Sequence, residues 1–178
     1  MADQALDRTP LGDHSAIVQQ VYAYCRAMDR MDVELGYSIW HEDGEADYGE
    51  AIYQGSGRGF IDFVTRVHAD YLAHSHQISN VLVKLDGNRA ASESYVTAVL
   101  RRQSDGALTQ FTVHGRYLDL WSCRNGRWAI DKRMFVTDFD EIRTVVTSGL
   151  TSRSRREPSD ASYTVFAMVE GVLPNGTA

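Results

Sequence analysis

The feature that most constrains the fold is a run of four long strand-like segments joined by three tight turns. The segments cover residues 76–85, 90–103, 109–123 and 127–137, and the turns read DGN, SDG and RNG. A glycine after Asp or Asn, placed between stretches of alternating apolar and polar residues, is a strong signal of a β-hairpin. The sequence therefore predicts a meander of antiparallel strands that are long enough to bend.

Helical patterns come before these strands. Apolar residues recur at spacings of three and four from Ile17 to Met28, and Asp13 is the predicted N-cap of a helix that begins at His14. Two further helices are predicted over 33–40 and 58–72, with a short hairpin between them. A series of helices followed by hairpin-linked strands is typical of an α+β domain, in which helices pack on one face of an antiparallel sheet.

The chain is long enough for one domain with a sizeable core, since it has 178 residues. We expect this domain to span residues 1–140. The strand pattern then fades, and the apolar patches of residues 141–178 predict a tail that docks on the pocket mouth or on a partner subunit. Cys25 and Cys123 lie far apart without a metal-binding spacing, so we expect two buried free thiols.

The acidic balance of the chain argues against nucleic acid as a partner. The formal net charge is -6 and the pI is about 5.4, whereas nucleic-acid affinity depends on clustered Lys and Arg. The basic run TSRSRRE is short and is typical of a solvated loop or a subunit contact. No segment approaches the ~18 apolar residues of a membrane span, and the N-terminus lacks the apolar core of a signal peptide. We therefore expect a cytoplasmic protein with no membrane partner.

Two histidines at the start of the first long strand indicate a functional face. The stretch AHSHQISN places them two residues apart, so His74, His76 and Asn80 are expected to point the same way in an extended strand. Asp29 lies at the C-terminal edge of the apolar stripe of the first helix, where a carboxylate is poorly placed for the helix dipole. A histidine on the facing sheet would supply the partner that Asp29 needs.

Four segments of the chain resemble the SnoaL-like branch of the nuclear transport factor 2-like superfamily. They are AMDRMD at the end of the first helix, HQISN at the start of the first long strand, LDGNRAASESYV across the next hairpin, and GRYLDLWSCRNGRWAIDKR over the last two strands. This branch includes scytalone dehydratase, a hexachlorocyclohexane dehydrochlorinase and a bile-acid dehydratase. The resemblance covers roughly residues 13–140 and leaves the tail outside.

The resemblance implies a cone-shaped α+β barrel, in which a curved antiparallel sheet is closed by N-terminal helices over a deep apolar pocket. It also implies a His–Asp pair for elimination: His76 matches the family histidine, and Asp29 matches the aspartate that orients it. Tyr24 matches a pocket tyrosine and Arg133 an arginine of the last strand, while the match of Tyr48 is looser. No cofactor and no metal are expected.

The chemistry of imidazole and carboxylate also suits His76 and Asp29 to act together as a base. A carboxylate bonded to one imidazole nitrogen fixes the tautomer and favours the imidazolium that forms when the other nitrogen takes a proton. We expect His76, Asp29, Tyr24 and Arg133 to be catalytic, with Tyr24 and Arg133 stabilising an oxygen whose charge changes. The residues expected to bind the substrate are Tyr48, Asn80, Tyr95, His114, Tyr117 and Trp128.

Each catalytic candidate also has a simpler interpretation. Asp29 can cap the following short helix, and His76 can be a hydrogen-bonded core histidine. Arg133 can pair at the surface with Asp131 or Asp119.

The neighbouring histidine raises a different possibility. His74 is more typical of a pocket mouth or loop than of the base. A rival site is a metal triad of His74 and His76 with Glu93 or His114, although such triads usually occur on all-β chains.

The expected activity is that of a cofactor-independent, dehydratase-like lyase acting on a small hydrophobic substrate, aromatic or polycyclic. The same residues can release formaldehyde from an aromatic diol by C–C cleavage, or act as a double-bond isomerase or cyclase. A non-catalytic ligand-binding or dimerisation module of the same fold is a further alternative. Because the outer face of such a sheet would otherwise be exposed, we also expect a homodimer or homotrimer.

Overall fold

The computed structural model describes residues 9–169, which form helices packed on a six-stranded sheet. The helices are α1 (Pro10–Arg30), α2 (Val33–Ser38), α3 (Gly57–Val67) and α4 (Ala161–Val169). The strands are β1 (Trp40–Asp47), β2 (Gln54–Ser56), β3 (Ala73–Asp86), β4 (Arg89–Ser104), β5 (Ala107–Arg124) and β6 (Arg127–Thr144). Part of the N-terminal stretch and the last part of the predicted tail, residues 1–8 and 170–178, lie outside the described residues. The predicted α+β class is confirmed.

The sheet has the strand order β2-β1-β6-β5-β4-β3 and is open, with β2 and β3 at its edges. Strands β3 to β6 form the predicted antiparallel hairpins. Both central residues of the Asp105–Gly106 and Asn125–Gly126 turns have positive φ, as type I′ turns require. β1, however, pairs in parallel with β6, so the sheet is mixed and not wholly antiparallel.

Irregularities in the long strands bend the sheet around the helices. The register shifts between Ser79 and Leu82 in the β3–β4 ladder, and it shifts twice between β5 and β6. Such bulges bend a strand and increase its twist. The strands are also longer than predicted, and β6 continues to Thr144, past the predicted domain end at residue 140.

α1 begins four residues earlier than the sequence pattern predicted. The Thr9 hydroxyl accepts a hydrogen bond from the main-chain N–H of Gly12, and Pro10 occupies the first helical position. The prediction of Asp13 as N-cap was therefore wrong. The carboxylate of Asp13 instead accepts a hydrogen bond from Trp128 Nε1 at 2.8 Å, which ties the first turn of α1 to β6.

The core lies between the helices and the concave face of the sheet. α1 crosses β3, and α3 packs on β1. Gly57 begins α3 directly against the indole of Trp40, where an added Cβ would come within 2.1 Å of the ring. Cys25 and Cys123 are both buried and free, as predicted.

The chain after β6 returns to the ends of α1 and α3. Arg156 donates hydrogen bonds to two main-chain carbonyls just after α3. Asp160 forms an ion pair with Arg30 at 3.5 Å, and the Tyr163 hydroxyl donates to Asp32 Oδ2 at 2.8 Å. We call residues 154–166 the strap. The described part of the predicted tail thus contacts its own chain beside α1 and α3.

Candidate active site

His76 on β3 and Asp29 at the end of α1 form a close hydrogen-bonded pair, here called the dyad. His76 Nδ1 lies 2.7 Å from Asp29 Oδ1, and the side chains are 10% and 18% exposed. The main-chain N–H of His76 also donates to Asp29 Oδ1 at 3.0 Å and Oδ2 at 3.1 Å. A neutral His76 ring that donates from Nδ1 leaves Nε2 as the nitrogen able to take a proton.

The local structure decides against one simpler interpretation of Asp29. The cap of α2 is Asp32, whose Oδ1 accepts from the main-chain N–H of Leu35 at 3.0 Å. Met31, with φ of 54°, turns the chain between the two helices. Asp29 is thereby free to face β3, and it anchors both the main chain and the ring of His76.

His76 lines two spaces, a wide one and a narrow one. The wide space, here called the dyad cleft, has a volume of about 280 Å³. It is lined by Tyr22, Cys25, Arg26, Asp29, Arg30, His76 and Ile78. The narrow space lies between α1 and α3, includes Thr65 and His68 in its wall, and measures about 20 Å³. A cavity of roughly 10–15 Å³ is enough for one water molecule. The base candidate therefore borders both a ligand-accessible cleft and a water-sized cavity.

His74 is buried inside β3, so the prediction of a pocket-mouth or loop residue was wrong. Its Nδ1 lies 3.2 Å from the carbonyl oxygen of Met28, and within residues 9–169 its Nε2 has no hydrogen-bond partner. The ring lies 4.9 Å from that of His68 and 6.4 Å from that of His76. Burial lowers the pKa of both His74 and His68 to about 4. These two rings are neutral neighbours of the dyad.

A second group of polar side chains is buried between α1 and the sheet, here called the tyrosine–arginine cluster. It contains Tyr24, Tyr48, Tyr117, Asp119 and Arg133. Arg133 is fully buried, and its Nε and Nη2 donate to the two carboxylate oxygens of Asp119 at 2.7 and 2.8 Å. The guanidinium lies 4.2 Å from the ring centre of Tyr24 and 4.0 Å from that of Tyr117. The surface pairing considered for Arg133 from the sequence is therefore replaced by a buried ion pair with Asp119.

The cluster is equipped to hold an oxygen that gains negative charge. The hydroxyls of Tyr24 and Tyr48 are 2.7 Å apart. Burial, together with the neighbouring tyrosines, raises the pKa of Tyr24 well above its ordinary value, so the phenol stays a neutral donor. Among residues 9–169, Nη1 of Arg133 makes no hydrogen bond of good geometry, although the Tyr48 hydroxyl interacts with the same guanidinium. The bond between the two phenols uses one O–H, so the other O–H and the buried Arg133 guanidinium are the donors suited to such an oxygen.

The dyad and the tyrosine–arginine cluster are neighbours but do not share a cavity wall. Neither space lined by His76 is lined by Tyr24, Tyr48 or Arg133. Cys25 connects the two groups, because it lines the dyad cleft and interacts electrostatically with both Asp29 and Arg133. Burial raises the pKa of the Cys25 thiol to about 12, so this residue is a neutral separator.

Three residues expected to bind the substrate are placed away from the dyad. Tyr95 is 41% exposed on the outer face of the sheet. His114 lies on the same face, bonded to Thr97 Oγ1 at 3.1 Å and stacked on Phe139. Asn80 is exposed in the β3 bulge with φ of 49°. The alternation expected from His74 to Asn80 ends at this bulge.

Trp128 lies at the opposite end of α1 from the dyad. Its indole bonds to Asp13 in the first turn, 16 residues before Asp29, which corresponds to about 24 Å along a helix axis. Tyr48 and Tyr117, in contrast, both lie in the tyrosine–arginine cluster.

The rival metal triad is not assembled. Glu93 and His114 lie on the outer sheet face, whereas His74 and His76 face the helices. Across the described range 9–169, no three His, Cys, Asp or Glu side chains lie close enough together to hold a metal ion.

Two cations of the dyad cleft, Arg26 and Arg30, were not predicted from the sequence. Arg26 lies three residues before Asp29 and four before Arg30, so helical spacing places Arg26 beside each of them. The guanidinium of Arg26 stacks on strap residues Tyr163 and Phe166, at 4.6 and 4.9 Å from the ring centres. The apolar stripe of α1 predicts its buried face, whereas the spacing of Arg26, Asp29 and Arg30 is the signal for this cleft.

Comparison with known proteins places the chain in a family. A family model described as a SnoaL-like domain matches residues 9–134. A search of curated protein sequences finds no match. None of the helices within residues 9–169 is long and apolar enough to cross a membrane, and a cytoplasmic location stays a prediction.

Solved structures share the fold at low sequence identity. A type 2 hexachlorocyclohexane dehydrochlorinase superposes with a TM-score of 0.68 at 17% identity, covering 79% of this chain and 97% of that one. A candidate scytalone dehydratase from Novosphingobium aromaticivorans gives 0.66 at 20% identity, covering 80% and 97%. A type 3 dehydrochlorinase from Novosphingobium barchaimii gives 0.62 at 17% identity, covering 80% and 94%. These likenesses confirm the predicted fold, a nuclear transport factor 2-like cone, here with an open sheet.

Proposed function

Because the chain belongs to the SnoaL-like domain family, we propose that it is a cofactor-independent lyase of dehydratase type. The observation that carries this proposal is the dyad: a histidine whose Nδ1 is held 2.7 Å from a carboxylate oxygen, on the wall of an open cleft. The named activities of the superposed dehydrochlorinases are eliminations, and a candidate dehydratase shares the fold. The proposed substrate is a small, largely apolar molecule with an aromatic or polycyclic body.

In the proposed reaction His76 is the base. Its Nε2 takes a proton from a carbon next to an activating group, and the C–H electron pair becomes the new double bond. The neighbouring carbon loses its hydroxyl, which receives a proton from the imidazolium and departs as water. Atoms and charge balance without an oxidant or reductant, and His76 returns to its neutral form.

Asp29 is the positioning partner in this proposal. Its Oδ1 fixes the ring tautomer and stabilises the imidazolium, while its bonds to the main-chain N–H of His76 hold the strand end in place. A positioned acid–base group typically supplies ~10²–10⁴-fold in rate.

Tyr24, Tyr48 and Arg133 complete the proposal as the groups that stabilise substrate oxygen. One phenol O–H and the Arg133 guanidinium can donate to an oxygen that gains charge as the proton leaves. For direct contact, the substrate must reach past Cys25 into the cluster. Tyr24→Phe should then lower kcat by about 10–100-fold while the melting temperature changes by only a few degrees. A loss of stability with unchanged kcat would limit Tyr24 to a structural role.

A mass-spectrometric screen tests the proposal. Purified, metal-stripped protein is incubated with hydroxylated aromatic and polycyclic compounds, beside the variants His76→Ala and Asp29→Asn. The matched control is His114→Ala, which removes a histidine from the outer sheet face.

The expected result is a product lighter by water that both dyad variants lose and the control keeps. A product lighter by formaldehyde would favour the C–C lyase, and an isobaric product the isomerase or cyclase. Turnover in His76→Ala equal to wild type would contradict the proposal. Ligand binding without any turnover would favour the non-catalytic module.

The outer sheet face supports a further proposal, self-association. It carries exposed apolar side chains around a groove of about 600 Å³. Lys84, Lys132 and Glu93 border that groove, so a second copy related by a two-fold axis can place lysine against glutamate. Light scattering should give a dimer mass that falls in Leu120→Asp, since Leu120 is 53% exposed there. A trimer would support the other predicted assembly, and a monomer would refute self-association.

A further inference from the structure

The wall of the dyad cleft contains two guanidinium groups, which a site for a purely apolar molecule does not require. Arg26 and Arg30 line it together with Asp29 and His76. The carboxylate of Asp29 is already engaged, because both of its oxygens accept hydrogen bonds from His76. Arg30 is balanced by Asp160 at 3.5 Å. The remaining guanidinium of the wall, that of Arg26, forms no ion pair with any carboxylate of residues 9–169.

Arg26 is held in place by neutral groups. Its Nη1 donates to the hydroxyl of Ser162 at 3.0 Å, and its guanidinium packs on the rings of Tyr163 and Phe166. No carboxylate among residues 9–169 lies within ion-pairing distance of it. Aromatic stacking fixes a guanidinium plane while leaving edge N–H groups able to bind. The Arg26 guanidinium is thus oriented and has N–H groups with which it can bind the carboxylate of a ligand.

We propose that the substrate of the dyad carries a carboxylate, and that Arg26 binds it in the dyad cleft. This inference rests on the proposed function, because it names the substrate class of the same site. Arg26 lies three residues before Asp29 on α1, so the two groups are separated by about 5 Å along the axis. The ligand is therefore a hydroxylated aromatic or alicyclic acid small enough to place its carboxylate at Arg26 and its reacting carbon at His76 within the same cleft.

The geometry also gives Arg26 a role in selecting the substrate. A bidentate arginine–carboxylate pair adds directional specificity, which a lone ammonium group does not. An uncharged isostere would leave the Arg26 guanidinium partly desolvated and unpaired against the strap rings. The site should therefore discriminate an acid from its amide by charge and not by shape.

The test compares binding of 2-naphthoate with binding of 2-naphthamide by fluorescence titration at low salt. Wild type should bind the acid at least about 10-fold more tightly, since a charge-assisted pair is stronger than a neutral hydrogen bond. Arg26→Gln should remove this preference. The matched control Arg89→Gln, which changes an exposed arginine of the β3–β4 turn, should keep it.

Two further variants separate the possible reasons for a change. Ser162→Ala removes the strap contact of Arg26 but leaves its charge, so the acid preference should persist. His76→Ala should also keep the preference, which makes failure of the catalytic proposal distinguishable from failure of this one. Equal affinity of wild type for the acid and the amide would overturn the inference. A preference that survives in Arg26→Gln would overturn it as well.

Discussion

The buried pair of Asp119 and Arg133 allows a quantitative prediction of stability. Both side chains are completely inaccessible to solvent, and two hydrogen bonds of 2.7 and 2.8 Å join them. Asp119→Ala leaves the Arg133 guanidinium buried and without its counter-charge. Removing one partner of a buried pair costs about 3–5 kcal/mol. At about 2–4 °C per kcal/mol for a chain of this size, the melting temperature should fall by about 6–20 °C.

Urea unfolding followed by tryptophan fluorescence and circular dichroism measures this loss. The matched control is Asp131→Ala, since Asp131 pairs with Arg124 at the surface with 29% of its side chain exposed. That change should cost less than about 1 kcal/mol. The double variant Asp119→Leu with Arg133→Met should recover most of the loss, because it removes both buried charges. Equal destabilisation by Asp119→Ala and Asp131→Ala would refute the argument from burial.

Three further predictions follow from the same contacts. Iodoacetamide at pH 8 should modify Cys25 in the native protein more than 100-fold more slowly than in the unfolded chain, since burial raises the pKa of this thiol to about 12. Mass spectrometry after timed quenching measures the labelling rate, and rapid labelling of the native protein would contradict the prediction. The pKa of His74 falls from 6.5 to about 4 on folding, so the stability from the neutral ring is complete above pH 6.5 and is lost as the pH falls towards 4. The free energy of unfolding should therefore drop over this pH interval by about 1–3 kcal/mol. The drop should be smaller in His74→Gln, and the same pH dependence in wild type and this variant would count against a role of His74. Gly57→Ala should destabilise the protein because the added Cβ meets the Trp40 ring. The loss should exceed the ~1 kcal/mol expected for Ser56→Ala, which only removes the cap of α3. Similar denaturation midpoints for the two variants would show that the indole can move.

Local chemistry explains which parts of the fold could be predicted. The Asp-Gly and Asn-Gly turns carry their own φ preferences, so the β3–β6 hairpins were readable from short segments. The start of α1 has a local signal too, since Thr9–Pro10 is a cap followed by a proline at the first helical position, and this signal is stronger than that of Asp13. The parallel pairing of β1 with β6 has no local signal, because its partners come from opposite ends of the domain.

The residues of the candidate site also differ in whether the sequence could predict their positions. The pairing of His76 with Asp29 was predictable because the resemblance supplied both positions at once. The burial of Arg133 was not, since it depends on the register that sets Asp119 directly opposite Arg133 across β5 and β6. The bulge at Asn80 reverses the simple alternation assumed for β3. Strand register depends on the whole sheet, and its irregularities are thus the main reason why predicted and observed positions of the site residues differ.

The central claim is that His76, oriented by Asp29, removes a proton from carbon. The most direct measurement is the single-turnover rate of C–H cleavage for a compound that the screen identifies, with and without deuterium at that carbon, in wild type, Asp29→Asn and His76→Ala. The account predicts a primary isotope effect in wild type, and rates lower by about 10²–10⁴-fold in His76→Ala and by a smaller factor in Asp29→Asn. An unchanged rate in His76→Ala would contradict it.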